Sequence, residues 1–90
     1  MPKVEFSIQL AEHVGCPSEG ELVAGTLRSS LNHWFLKYPA MSEYLLDEEG
    51  ALRGHLSVFV DGQMVAQEDA LETLLGNESE VFVMQAISGG

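Results

Sequence analysis

Residues 80–86 read EVFVMQA, a strand-length run that is apolar at both parities, with Val81 and Val83 on one face and Phe82 and Met84 on the other. A strand with one solvated face alternates between apolar and polar residues. A strand that is apolar on both faces belongs in the middle of a sheet, or keeps its second face for a partner. The fold is therefore expected to be built around this last strand.

Working outward, residues 69–76 (DALETLLG) carry the marks of one or two helical turns. Asp69 is the expected N-cap, Glu72 completes a capping box, Leu71, Leu74 and Leu75 turn inward, and Gly76 follows the helix as C′. Residues 55–66 (HLSVFVDGQMVA) hold two apolar runs around Asp61-Gly62, the pair that best tolerates the positive φ angles of a type I′ turn, so a β-hairpin is expected. Residues 40–54 are ambiguous: Met41, Tyr44 and Leu45 suit a short helical turn, and Asp47–Gly50 is turn chemistry.

Thr26 is the expected N-cap of the main helix, which runs to about Tyr38, with Leu27, Leu31, Trp34, Phe35 and Tyr38 on one stripe and Pro39 ending it. Trp34 at this spacing is read as core, not as a shelf for a cofactor. At the N-terminus, residues 3–10 (KVEFSIQL) alternate strictly, which predicts a strand with Val4, Phe6, Ile8 and Leu10 facing the helix. A Gly/Pro-rich turn then leads to a short return strand over 21–23.

The order is hairpin, helix, hairpin, short helix, final strand. One main helix over a mixed sheet is an α+β architecture, and if the last strand lies beside the first the simplest packing is a β-grasp. At 90 residues and 46 % hydrophobic composition the chain has room for one core, taken here as a domain over 1–86 followed by a flexible tail, 87–90, that ends in Gly-Gly.

Fourteen Asp and Glu residues against four Lys and Arg give a net charge of -10, a field that repels phosphate backbones and anionic lipid headgroups. Neither nucleic acid nor membrane is expected as a partner. The acids cluster at 47–49, at 68, 69 and 72, and at 78 and 80, where they serve solubility or steer encounter with a basic partner protein. No basic-plus-apolar leader and no long apolar run is visible, and Cys16 has no second cysteine, so a cytoplasmic protein is expected. Cys16, His13, His33 and His55 lack metal-ligand spacing, no Cys/His nucleophile is supported by a pocket, and the glycines do not form a phosphate-binding pattern. No bound metal or cofactor is expected.

Phe59, in the hairpin, shares an outward parity with Phe82 and Met84 if Val58, Val60, Val81 and Val83 face the helix. Such a patch marks a protein partner, unless residues 40–54 fold over it.

The element order, the VFVDGQMV hairpin, the EDALETLLGNESEVFV approach to the last strand and the terminal ISGG together resemble the MoaD/ThiS family of ubiquitin-like sulfur carriers over nearly the whole chain. The longer helix and the acidic NESEV turn look more like the molybdopterin-synthase small subunit and cysteine-biosynthesis carriers than the thiamine carrier. The resemblance implies a non-enzyme, a protein co-substrate or a small subunit of a sulfur-transfer synthase. The carboxylate of Gly90 would be adenylated by a ubiquitin-activating-type enzyme, converted to a thiocarboxylate and used to deliver sulfide. ATP and a sulfur donor are the enzyme's substrates. Gly89 would give clearance in the enzyme's channel, Ser88 and Ile87 would line its entrance, and docking would use the sheet face bearing Phe59, Phe82 and Met84. Two other readings stay open at this point: a ubiquitin-like modifier conjugated to lysines, and an interaction module with no chemistry at its tail.

Overall fold

A computed structural model describes residues 1–85. Strand β1 (Lys3–Phe6) buries Val4 and Phe6 and exposes Lys3 and Glu5, as its alternation requires. The expected strand over 3–10 stops there. Ser7 takes the N-cap of helix α1 (Ile8–Val14), its side chain accepting from the Leu10 N–H, and Gly15 closes the helix at φ +82° with its N–H on the Ala11 carbonyl. Leu10, Ala11 and Val14 sit at helical spacing on the core side, and Ile8, expected inward, is 67 % exposed. A serine that caps and a glycine that terminates compete with a pattern that alternates through both, and burial of Leu10 and Ala11 decides for the helix.

Strand β2 (Glu19–Glu21) returns antiparallel to β1, two residues before the expected position, and pairs Val4 with Gly20. Val4 faces inward, so Gly20 does too, and the Trp34 ring occupies the place of its missing side chain. Strand β3 (Gly25–Thr26) leads into helix α2 (Leu27–Lys37), capped as expected by Thr26, which accepts from the Ser29 N–H at 3.1 Å. Leu27, Leu31 and Trp34 are buried along its inner stripe, with Phe35 and Tyr38 partly so. Pro39 ends α2 and opens helix α3 (Pro39–Leu45), which buries Met41 and Leu45.

The DEEG turn is organised by Asp47, whose Oδ1 accepts from the N–H groups of Glu49 (2.8 Å) and Ala51 (3.0 Å). The Ala51 bond is the main reason its carboxyl titrates below the ordinary Asp range; desolvation opposes it, and the Glu49 bond and the Arg53 charge add to the lowering. A lowered folded value means that this contribution is present above the ordinary Asp pKa and lost as pH falls through the folded one. Asp47→Ala should therefore speed hydrogen exchange at the Glu49 and Ala51 amides while leaving the global melt nearly unchanged. The wild type should lose the same protection only in acid below the ordinary Asp range. Wild-type protection in the alanine variant would refute this account of the turn.

Strands β4 (Leu56–Val60) and β5 (Gln63–Val65) form the expected hairpin, with Asp61 at φ +52° and Gly62 at φ +83°. The expected helix at 69–76 is reduced to a single 3₁₀ turn, Ala70–Glu72. Asp69 makes no side-chain cap bond, and Glu72 pairs with Arg28 at 3.3 Å instead of closing a capping box. The cause lies downstream: Leu74–Leu75 form strand β6, which pairs with β3 and holds the chain extended. Leu75 is buried, whereas Leu74, expected inward, is 77 % exposed.

Strand β7 (Glu80–Gln85) lies parallel to β1 and antiparallel to β4, giving the sheet order β2-β1-β7-β4-β5. The segment apolar on both faces is thus the central strand, and the first and last strands are neighbours. Helix α3 packs against both α2 and α1, so the core lies between one sheet face and three helices. Among the described residues no helix is long and apolar enough to cross a membrane.

Candidate docking face and the strand that leads to the tail

With Val81 and Val83 buried beneath the helices, the opposite parity of β7 places Phe82 and Met84 on the outer face of the sheet. Register then extends the row. Phe82 stands opposite Phe59 of β4, with ring centroids 6.3 Å apart, and Phe59 stands opposite Met64 of β5. Met84 lies one step on, opposite Ser57. The structure therefore brings Phe59, Phe82 and Met84 together in one shallow concavity, and none of residues 40–54 lines it. That segment packs on the far side, where α3 meets α2 and α1.

Two features of this face escaped the sequence reading. Met64, 65 % exposed, continues the aromatic row. Its place follows from the two-residue Asp61-Gly62 turn, which pairs Val60 with Gln63 and hence Phe59 with Met64. The other side of the same row is acidic: Phe82 is flanked by Glu5 of β1, and Glu5 stands opposite Glu19 of β2. Only the parallel β1–β7 register brings these acids beside the phenylalanine, and no local motif encodes that register.

The strand itself is firmly placed. The Asp61 N–H donates to the Glu80 carbonyl at 2.8 Å, and the Glu80 N–H donates to Asp61 Oδ1 at 3.0 Å, which ties the hairpin turn to the start of β7. At its other end the Ser7 N–H donates to the Val83 carbonyl at 2.9 Å. Ile87, Ser88, Gly89 and Gly90, the remaining residues singled out in the sequence, lie outside the described residues.

The rest of the described residues offer little chemistry. Burial pushes the Cys16 thiol up from its ordinary range, which keeps it protonated at neutral pH, and its sulfur donates to the Pro17 carbonyl at 3.3 Å. His13 and His55 flank the Tyr44 ring, at centroid distances of 4.8 and 6.2 Å. Among the described residues no three His, Cys, Asp or Glu side chains are grouped to hold a metal.

No protein-family model matches the chain, and no curated protein matches it. Solved structures do. A chain of the Amycolatopsis orientalis BexX/CysO complex is 20 % identical with a TM-score of 0.85, covering 100 % of both chains. Mycobacterium tuberculosis CysO is 21 % identical with a TM-score of 0.82, covering 97 % of this chain and 100 % of that one. The small archaeal modifier protein 1 of Methanosarcina acetivorans is 27 % identical with a TM-score of 0.79, covering 99 % of this chain and 95 % of its own. These neighbours agree with the β-grasp fold that the resemblance drawn from the sequence implies. The chain has the ubiquitin-like β-grasp fold, and its likeness to CysO and to a small archaeal modifier runs along essentially its whole length.

Proposed function

We propose that this protein is a sulfur carrier whose Gly90 carboxylate is activated by a ubiquitin-activating-type adenylating enzyme. The observation that carries the reading is the position of β7: the central strand runs from the middle of the sheet toward residues 86–90, with the Phe59, Phe82 and Met84 patch of the outer face beside it. A domain over 1–86 then serves as the handle for a tail over 87–90. The solved complex of CysO with BexX, a protein of the same fold with a partner, supports a role exercised through a second protein.

The chain supplies no catalyst; it supplies a carboxylate and a surface. A carboxylate oxygen of Gly90 attacks the α-phosphorus of ATP held by the partner, and pyrophosphate leaves. Hydrosulfide from a sulfur donor then adds to the acyl carbon and AMP leaves, giving a thiocarboxylate. Glycine suits both terminal positions, because it has no Cβ to obstruct a narrow channel and adopts whatever φ and ψ the site requires. A synthase subunit or another biosynthetic enzyme accepts the sulfide, so the activity belongs to a cytoplasmic pathway and needs neither nucleic acid nor membrane. No cofactor is bound by the carrier itself.

The test is the intact mass of the protein purified from its own host with an unmodified C-terminus. A fraction heavier by one oxygen-to-sulfur exchange, and absent after Gly90 deletion, is the expected result. An unmodified mass throughout would remove the carrier reading. The likeness to a small archaeal modifier keeps one second reading, in which the same activated carboxylate is captured by lysine amines of other proteins. Conjugates that survive a denaturing gel and disappear with Gly90 deletion would establish it.

A further inference from the structure

The outer face is divided along one cross-strand row: Glu19 and Glu5 on β2 and β1, then Phe82, Phe59 and Met64 on β7, β4 and β5. We propose that this face docks a protein surface in which arginine or lysine side chains flank an apolar pocket, with Glu5 and Glu19 taking the cations and the Phe82–Phe59–Met64 row filling the pocket. Identifying that partner as the activating enzyme rests on the carrier reading above.

The argument begins with a cost. Like charges directly opposite each other on one face of an antiparallel pair destabilise it, and Glu5 faces Glu19 in that way. Lys3, the one cation on β1, stands opposite Glu21 and Glu80 instead. Among the described residues the single ion pair within 4 Å is Arg28–Glu72, on the helical side of the molecule. Acids needed only for solubility need not face each other. The acidic turn at 47–50, by contrast, uses Asp47 to accept backbone N–H groups. A cation from outside would convert the Glu5–Glu19 repulsion into attraction, and the adjacent apolar row would supply the desolvated part of the contact.

Other occupants fit poorly. A second copy docked face to face about a two-fold axis lays the acidic half of one row either on the apolar half of the other or, with the axis along the row, on the other's acids, and in both cases buries carboxylates without a cation. A net charge of -10 disfavours that pairing further, and repels polyanions.

The test uses the Glu5→Gln/Glu19→Gln double variant of the full chain. Removing the repulsion should raise the melting temperature of the free protein at low ionic strength by about 1–5 °C, a gain that shrinks in high salt. In pyrophosphate exchange with the host's purified adenylating enzyme, the same variant should raise the KM for the carrier about 3–10-fold at low salt, with the wild-type advantage fading as salt rises. A more stable protein that is a poorer substrate is the signature of acids kept for a partner. Unchanged KM and salt dependence would overturn the docking assignment even where exchange is robust. A dimer of the wild type that tightens in the double variant would overturn it in favour of a second copy. Gly90 deletion separates the two levels of the argument, since it should abolish exchange while leaving the melting difference intact. Failure of the wild type to support exchange would overturn the carrier reading and the identity of the partner with it.

Discussion

Gly89→Val should abolish adenylation of Gly90 and leave the melting temperature of the protein where it was. The buried apolar side chains of the described residues run from Pro2 to Val83. The proposed task of Gly89 is steric and conformational: to let a carboxylate reach a nucleotide inside another protein. A β-branched side chain fills the channel and restricts φ and ψ, and displacement of a reacting atom by about 1 Å can cost on the order of 100-fold in rate. Loss of pyrophosphate exchange by at least that factor, with a superimposable thermal melt, is the expected outcome. Gly89→Ala should fall between the two, because it adds one methyl group without branching. Wild-type exchange by the valine variant would show that the tail does not enter a confined site, and the carrier chemistry proposed for Gly90 would lose its main support.

The parts of the fold that could be read in advance are those encoded by local chemistry. Asp61-Gly62 specifies its turn type, and Thr26 caps α2 through its own side chain. The double parity of residues 81–84 is enough to place β7 centrally, with Phe82 and Met84 outward. Misreadings occurred where two local rules compete, or where a distant strand decides. Residues 3–10 satisfy a period of two, but Ser7 and Gly15 bracket a helix, and only burial of Leu10 and Ala11 beneath it settles the contest. Residues 69–72 carry a helix-start pattern, yet pairing of Leu74 and Leu75 with Gly25 and Thr26 draws the chain out after one turn. The candidate face follows the same division. Its apolar members were legible by parity, and Met64 was legible from the turn. The juxtaposition of Glu19, Glu5 and Phe82 depends on a parallel pairing across most of the chain, which no short motif announces.

Trp34→Ala should be among the most destabilising single substitutions in the domain. The indole is 7 % exposed and lies between the Phe6 ring, at a centroid distance of 5.4 Å, and the Tyr38 ring, at 4.9 Å. Its Nε1 is buried without a hydrogen-bond partner at normal distance, with only the Cys16 sulfur nearby to interact with it, so packing is what chiefly holds the ring. Truncating a buried tryptophan costs about 3–5 kcal/mol through lost transfer energy and the cavity left behind. At this chain length that lowers the melting temperature by roughly 12 °C or more. The site has an internal control in Gly20. A Cβ built there would stand 2.6 Å from Trp34 Cζ3 and 2.8 Å from Cη2, closer than carbon atoms approach, and the ring is wedged on both sides. Gly20→Ala alone should therefore cost about 1–3 kcal/mol as overpacking. In the Trp34→Ala background the clash is gone and the added methyl group fills part of the cavity, so the same substitution should be neutral or mildly stabilising. A double-mutant cycle by denaturant unfolding should give a coupling of about 1 kcal/mol or more between the two positions. Strict additivity would mean that the ring does not rest on Gly20, and that β2 owes its glycine to something other than the tryptophan.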